Sequence, residues 1–465
     1  MGFQVKKATV IGAGIMGAQI AALLTNNNID VLLLDRIPDK LSERDMEKGW
    51  TKQSPQWRNK IAQMGIDGLL KLKHPAFISE ESYHRVTPGN VDDDLPQIAD
   101  SDWIIETIIE DLEIKRALYD KIEPLRRADA IVSTNTSGLP ISLIAEEFSP
   151  ALKQYFLGTH FFNPPTYSPL VELIPSKDTL TEVTHFLKTI FQDDMGKKPL
   201  VVKDTPNFIA NRLGIATAIN AVHMAFSDGM RVDEVDALAG RNMARMSYAI
   251  FGMADAVGLD TVAHVTKNLY ANAKHDERRE SFFIPEPMAY MLENNMLGAK
   301  SRQGFYYSEK QEDGSRKEYV LDLNTKQYID RIEPDFACLK AASQVRSPGE
   351  KVRAIIYGDD RGAKFAWKML AIDTIYAANR IGEIADTIVE IDGAMRTGYL
   401  WALGPFECWD AMGLRKSVER MQAEGMPVPP SVIKMLETGH ESFYREFEGK
   451  KQYYDFRTGS YQNVE

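Results

Sequence analysis

An α/β domain followed by an all-α domain made of two related helical units is the fold class the sequence predicts, and three observations carry it. Residues 8 to 17 read Ala-Thr-Val-Ile-Gly-Ala-Gly-Ile-Met-Gly, an apolar strand run that breaks into Gly12, Gly14 and Gly17. Between residues 103 and 202, short β-type runs alternate with stretches of helical spacing, which implies a mostly parallel sheet covered on both faces. Beyond residue 204 the pattern turns helical and repeats itself. Phe251-Gly-Met-Ala-Asp255-Ala-Val-Gly258-Leu259 returns as Pro405-Phe-Glu-Cys-Trp-Asp410-Ala-Met-Gly413-Leu414, with Asp, Gly and Leu all displaced by 155 positions, and Val235-Asp236 lies 156 before Ile391-Asp392. Self-similarity of this kind marks a duplicated unit.

Each element follows in order. Val10 and Ile11 supply a first strand, residues 15 to 24 a helix, and residues 29 to 34 a second strand. Gly12 permits a tight turn, Gly14 lets backbone approach a pyrophosphate, and Gly17 lets the helix pack close with its N-terminus aimed at the phosphates. Ile15 and Met16 form the first turn of that helix and join the candidate cofactor contacts. Asp35 ends the second strand eighteen residues after Gly17, where a carboxylate accepts both ribose hydroxyls. The unit is therefore expected to be of Rossmann type and to bind NAD. Asp35 disfavours a 2′-phosphate, although the adjacent Arg36 is placed to soften that preference.

Residues 39 to 86 are charged with helical spacing and are read as a helical insertion. Strand signals return at 85–87, 103–109 and 130–133, with a helix at 112–125. Two further β-type runs, 155–162 and 171–174, precede a helix at 181–191 and a last strand at 199–202. The resulting domains are 1–203 for the sheet domain, 204–307 for a first helical unit, 308–351 for an extended connecting segment, and 352–465 for a second helical unit. Asp204-Thr205-Pro206-Asn207 has the composition of a helix start.

The chemistry concentrates in two apolar runs. His160 lies in Phe156-Leu-Gly-Thr-His160-Phe-Phe-Asn163-Pro164-Pro165 and Glu172 in Val171-Glu172-Leu173-Ile174-Pro175. A carboxylate in an apolar run requires a partner, and an imidazole on the neighbouring strand is its natural one. Such a pair suits alcohol dehydrogenation, in which the histidine takes the hydroxyl proton while the carboxylate holds the ring. Thr134-Asn135-Thr136-Ser137-Gly138 ends a strand at the ligand-binding edge, so Ser137 is a candidate hydroxyl contact or a helix N-cap. Glu110 with Lys115 is a candidate cofactor contact or a helix-start ion pair. The remaining histidines show no metal-ligand spacing, and no metal is expected.

Composition bounds the setting. With 465 residues the chain has length for two or three domains. Two cysteines, Cys338 and Cys408, are too few for a disulfide framework, which fits a reducing, cytoplasmic compartment. A net charge of −11 with interspersed signs leaves no footprint for nucleic acid, and no window has the length of a membrane span. Lys6 and Lys7 before an apolar run fit a strand-turn-helix better than a leader.

Five ordered motifs resemble the 3-hydroxyacyl-CoA dehydrogenase family over nearly the whole length. They are Ile-Gly-Ala-Gly-Ile-Met-Gly, Asn-Thr-Ser-Gly-Leu-Pro-Ile, Gly-Thr-His-Phe-Phe-Asn-Pro-Pro, Val-Glu-Leu-Ile-Pro and Lys-Asp-Thr-Pro-Asn-Phe-Ile-Ala-Asn-Arg. The resemblance implies oxidation of a (3S)-3-hydroxyacyl-CoA to the 3-ketoacyl-CoA in fatty-acid β-oxidation, with NAD as acceptor. It implies His160 as base, Glu172 as its partner, and Ser137 and Asn211 as groups that position the substrate oxygens. Asp35, Glu110, Lys115, Ser137, Asn163 and Lys300 join Gly12, Gly14, Ile15, Met16 and Gly17 as cofactor positions. The second helical copy is similar to that of multifunctional fatty-acid oxidation proteins. No hydratase module is expected within these residues, and the duplication implies a monomer or a weak homodimer with substrate in a cleft between sheet and helical domains. Lys60, Lys71 and Lys73 are candidate contacts for CoA phosphates, or a solvated helix face. Two rival readings remain: a non-catalytic NAD-binding protein of crystallin or sensor type, and a dehydrogenase of free 3-hydroxy acids, which generally uses a lysine base.

Overall fold

A computed structural model describes residues 3–464, and the chain divides into two compact units between Asp204 and Thr205. The first unit is built on strands β1 (Lys7–Ile11), β2 (Asp30–Asp35), β3 (Val86–Asn90), β4 (Trp103–Glu106), β5 (Ile131–Thr134), β6 (Phe156–Phe161), β7 (Leu170–Pro175) and β8 (Lys198–Val201). They form one sheet in the order β3-β2-β1-β4-β5-β6-β7-β8. All neighbours run parallel except β6 and β7, which are antiparallel. Every residue of β4, β5 and β6 is buried, as expected for central strands covered on both faces. β1 lies between β2 and β4, so the chain leaves it in opposite directions and opens a crevice at its carboxyl end.

Helix Ile15–Asn26 joins β1 to β2, and helix Leu112–Ile122, capped by Asp111, joins β4 to β5. The stretch read as a helical insertion holds four short helices, Glu43–Glu47, Pro55–Arg58, Lys60–Leu69 and Glu80–His84. Gly65 seats the longest of them on the glycine turn, since a β-carbon there would lie 2.5 Å from the Ala13 carbonyl.

The second unit is mainly helical and displays the duplication element by element. Helices Ala210–Asp228, Val232–Ala239, Phe251–Val257, Leu259–Asn272 and Glu286–Glu293 recur in order as Arg361–Asn379, Ile388–Gly398, Pro405–Met412, Leu414–Ala423 and Pro430–Glu437. Corresponding aspartates tie each set together. Asp236 accepts the N–H groups of Ile250, Phe251 and Gly252 and the Tyr306 hydroxyl. Its counterpart Asp392 accepts those of Phe406 and Glu407 and a hydrogen bond from Tyr444. Asp255 takes the backbone N–H of Phe305 and Tyr306, and Asp410 that of Phe443 and Tyr444.

Three expectations need amendment. The second half is not all-α, because each copy ends in a three-stranded antiparallel sheet. These are β9 (Tyr306–Lys310), β10 (Arg316–Leu321) and β11 (Tyr328–Asp330), then β12 (Tyr444–Phe447), β13 (Lys450–Asp455) and β14 (Ser460–Asn463). The segment 308–351 is accordingly no extended connection. It holds most of the first small sheet and helix Ala337–Ser343, and begins helix Pro348–Ile356. Tyr307 stacks on Tyr319 and packs on Tyr328 across its three strands, which stabilises a sheet whose other positions are mostly charged. Asp204 does not start the next helix. Its carboxylate receives the N–H groups of Ile141 and Ser142 at 2.6 and 2.8 Å, capping helix Ile141–Ile144, while Asn207 and Phe208 turn through positive φ and the long helix begins at Ala210.

Candidate active site

Gly12, Gly14, Ile15, Met16, Gly17 and Asp35 lie at the carboxyl ends of the parallel strands β1 and β2. Gly12 follows β1 with φ of +108°, and a β-carbon there would lie 2.6 Å from the Thr107 carbonyl oxygen. Gly17 lies against the Gly12 carbonyl, so any side chain would force helix Ile15–Asn26 away from the turn. Gly14 faces open space. It is the N-cap of that helix, supplies no side-chain hydrogen bond, and no acidic residue occupies the first turn, a helix start suited to an anion. Ile15 is 71% exposed at the same turn and Met16 is half-buried.

Asp35 closes the cradle. Its Oδ2 accepts the Ala13 N–H at 2.6 Å and its Oδ1 the Arg36 N–H at 2.7 Å, and the residue is half-buried at the end of β2. The carboxylate stands beside the glycine turn with lone pairs left for ribose hydroxyls. Arg36 is engaged elsewhere, 2.8 Å from Asp39. The open face of Gly14, the uncapped helix start and this carboxylate fit a dinucleotide.

A second cluster sits at the ends of β4 and β5. Glu110 accepts the Thr136 hydroxyl at 2.5 Å and the Ser137 N–H at 3.0 Å, and its other oxygen is 3.3 Å from the Lys115 ammonium. Of the two sequence readings of Glu110, the ion pair with Lys115 is present, and it coexists with a bond to Ser137. Lys115 itself is buried, and its ammonium lies 2.7 Å from Glu106. It underpins Glu110 and presents no free cation at the surface. Ser137 is not a helix cap, since that place is taken by Pro140 with Asp204 as acceptor.

Glu106 is the residue whose role the sequence leaves unassigned. Fully buried, it accepts from Lys115, Tyr119, Thr134 and the Ile108 N–H, four donors that offset the desolvation of its charge. Burial first, and Glu106 second, push the Tyr119 phenol well above its ordinary value, so it remains a donor. Asn135 is also informative, because its Oδ1 receives the Phe161 N–H at 2.9 Å and fixes β6 one residue beyond His160.

His160 and Glu172 are direct register partners on β6 and β7. Nδ1 of the imidazole lies 2.7 Å from Oε2 of the carboxylate, with side-chain exposures of 4% and 0%. Phe162 packs its ring 4.6 Å from the imidazole. Asn163 is exposed at the start of the loop joining β6 to β7. That loop is pinned from beneath by Lys197, which is buried and donates to the carbonyls of Pro165 and Ser168 at 2.5 and 2.7 Å. Burial lowers this ammonium to about 8.

The other candidates lie in the second unit. Asn211 is at the start of helix Ala210–Asp228 and accepts the Tyr399 hydroxyl at 3.2 Å. Lys300 is half-exposed and ion-paired with Asp260. Lys60 is engaged by the buried Asp45, at 2.6 Å, whereas Lys71 and Lys73 are exposed. Among the described residues, no group of three His, Cys, Asp or Glu is placed to hold a metal ion, and no helix is long and apolar enough to cross a membrane.

Comparison with known proteins agrees with this geometry. Residues 7–205 match the family model "3-hydroxyacyl-CoA dehydrogenase, NAD binding domain", and residues 208–308 match "3-hydroxyacyl-CoA dehydrogenase, C-terminal domain". The chain belongs to the 3-hydroxyacyl-CoA dehydrogenase family. Members of this family are NAD oxidoreductases, and the matched NAD-binding model spans the sheet domain that carries the glycine turn. A Bacillus subtilis protein named "Probable 3-hydroxyacyl-CoA dehydrogenase" is 40% identical over 460 residues, covering 99% of this chain. The chain spans only 57% of that relative's length. The "Fatty acid oxidation complex subunit alpha" of Pseudomonas putida is 31% identical over 334 residues, covering 69% of this chain and 42% of that protein. A crystal structure of 3-hydroxybutyryl-CoA dehydrogenase from Escherichia coli shares the fold, with a TM-score of 0.66 at 22% identity over 94% of this chain and 99% of that one.

Proposed function

We propose that this dehydrogenase oxidises a (3S)-3-hydroxyacyl-CoA to the 3-ketoacyl-CoA with NAD as acceptor, as a step of fatty-acid β-oxidation. The observation that carries the reading is the 2.7 Å bond between His160 Nδ1 and Glu172 Oε2. An imidazole so held donates its Nδ1 proton to the carboxylate, which orients the ring for its role as base toward a substrate hydroxyl. Bound NAD supplies the hydride acceptor for the hydrogen on C3. His160 takes the hydroxyl proton as the C–O bond becomes C=O, and the buried Glu172 stabilises the imidazolium that results. Ser137 and Asn211 position the substrate oxygen, and Asn135 keeps β6, and with it His160, in register. Asp35 selects the unphosphorylated ribose, with Glu110 tied to Ser137 and Lys115 at the neighbouring strand ends.

The acyl-CoA and fatty-acid assignment draws on the family and on the names of the Bacillus and Pseudomonas relatives. Two buried free thiols, Cys338 and Cys408, favour a cytoplasmic, reducing setting. The two helical copies favour a monomer or weak homodimer, which light scattering tests. The deciding assay is NADH formation from (3S)- and (3R)-3-hydroxybutyryl-CoA and from free 3-hydroxybutyrate. Turnover of the (3S) thioester alone is expected. Equal turnover of the free acid, or none of any substrate with NAD bound, rejects the reading in favour of a free-acid dehydrogenase or a non-catalytic binder.

A further inference from the structure

We propose that Thr134 is a positioning residue for His160: with its proton taken by Glu106, its hydroxyl braces the turn that presents Asn135 to the strand carrying the imidazole. This inference rests on the reading above, in which His160 is the base.

A threonine hydroxyl has one proton to give and lone pairs to receive with, so the group that takes the proton decides what the oxygen can do next. A carboxylate offers lone pairs only. Thr134, at the buried end of β5, donates to Glu106 Oε2, 2.7 Å away, and its oxygen accepts the Thr136 N–H at 3.2 Å. That second bond spans Asn135. The Asn135 N–H is itself held by the Glu106 carbonyl oxygen at 2.8 Å. One neighbouring residue and the hydroxyl it orients thus fix the asparagine backbone from two sides. Its side chain delivers Oδ1 to the Phe161 N–H at 2.9 Å, one position beyond His160.

The strand pairing shows why this bond matters. The register of β5 with β6 ends where Thr134 faces Gly158, short of the imidazole, while β7 pairs with β6 through His160 and Phe161 on the other side. The Asn135 amide continues the β5 contact past the end of that register, as far as Phe161. The same device then repeats two residues on. Glu110 takes the Thr136 hydroxyl proton at 2.5 Å, and the Thr136 oxygen accepts the N–H groups of Gly138 and Leu139 at 3.4 and 3.0 Å. Lys115 lies between the two carboxylates, 2.7 Å from Glu106 and 3.3 Å from Glu110, and its charge offsets their repulsion. Both threonines can therefore keep a carboxylate as proton acceptor, and the whole turn from 134 to 139 is held by oxygens whose direction is set from beneath.

The test uses the full chain with (3S)-3-hydroxybutyryl-CoA and NAD, each variant assayed well below its own melting midpoint. Thr134→Val keeps the volume and removes the hydroxyl, whereas Thr134→Ser keeps the hydroxyl. In Thr134→Val, kcat is expected to fall roughly 3- to 10-fold, the size of one lost hydrogen bond, with little change in KM. Thr134→Ser should stay close to wild type. Added to Asn135→Ala, Thr134→Val should produce no further loss. Deuterium at C3 of the substrate should slow Thr134→Val at least as much as wild type, because the impaired step is the breaking of that C–H bond. Wild-type kcat in Thr134→Val, equal losses in the valine and serine variants, a loss that multiplies in full with that of Asn135→Ala, or a smaller deuterium effect overturns the proposal. Asn135→Ala alone gives a second route should the valine variant fail to fold, since an unchanged kcat there removes the path to His160. With His160→Ala inactive, any of these results leaves the proposed reaction standing. An active His160→Ala removes the reaction itself.

Discussion

His160 and Glu172 stand opposite one another on the antiparallel pair β6 and β7, the imidazole Nδ1 2.7 Å from the carboxylate Oε2 and both side chains removed from solvent. Replacing His160 by alanine is expected to lower kcat by about 10²- to 10⁴-fold while NAD binding, followed by fluorescence titration, stays within a factor of two. Glu172→Gln should fall in the same range, because an amide facing Nδ1 can stabilise the wrong tautomer and cannot balance an imidazolium. Turnover in Glu172→Gln equal to wild type would show that the carboxylate is only a packing partner.

Asp35 predicts cofactor choice. Asp35→Ala removes both the repulsion toward a 2′-phosphate and the anchor on the Ala13 N–H. The expected result is weaker NAD binding by about tenfold, on the order of 1.4 kcal/mol, with NADP use rising relative to NAD. Because Arg36 is paired with Asp39, Asp39→Ala should release the guanidinium and favour NADP further. Steady-state kinetics with both cofactors checks the order of the three proteins.

Lys197 predicts a coupling between loop and site. Lys197→Met retains the aliphatic stem but leaves the Pro165 and Ser168 carbonyls without their donor. A loss of about 1 to 3 kcal/mol in the stability of the first unit is expected. The loop carrying Asn163 should loosen with it, seen as a higher KM for NAD and faster amide hydrogen exchange at Asn163, Thr166, Tyr167 and Ser168.

The buried aspartates predict how stability responds to pH. Burial raises Asp392 to about 8, with the Glu407 charge adding to it, and raises Asp236 to about 6, Asp255 to about 7 and Asp410 to about 7. Between roughly pH 4 and 8 the folded chain therefore binds more protons than the unfolded one, so this contribution to stability falls as pH rises through that window. Asp392→Asn lowers the melting temperature overall but should flatten its decline between pH 5 and 8. Differential scanning calorimetry at intervals of one pH unit measures both slopes, and parallel slopes would contradict the assignment.

Much of this was legible before any coordinates, for identifiable reasons. The glycine turn announces itself because each glycine answers a separate steric demand, and the His160–Glu172 pair because charged groups in apolar strands must find each other. The Asp-Gly-Leu repeat exposed the duplication. What stayed hidden depends on direction and distance. Lys115 is drawn inward to Glu106, a residue with no outward signal of its four donors. Asp204 caps a helix more than sixty residues earlier in the chain, so its local composition misleads. The two small sheets escape a reading of periodicity because their strands are short and carry Lys, Arg and Glu outward, leaving only a few apolar positions, such as Val320 and Leu321, and half-buried tyrosines to mark the covered face.

Asp255 and Asp410 grip main-chain N–H groups, which every residue except proline provides. The ribbons they fasten are thus free to drift in sequence while the fastening persists, and substitutions at Phe305 or Phe443 leave the donors themselves untouched. After such a doubling, divergence would be expected to erode the hairpins first and the two carboxylates last.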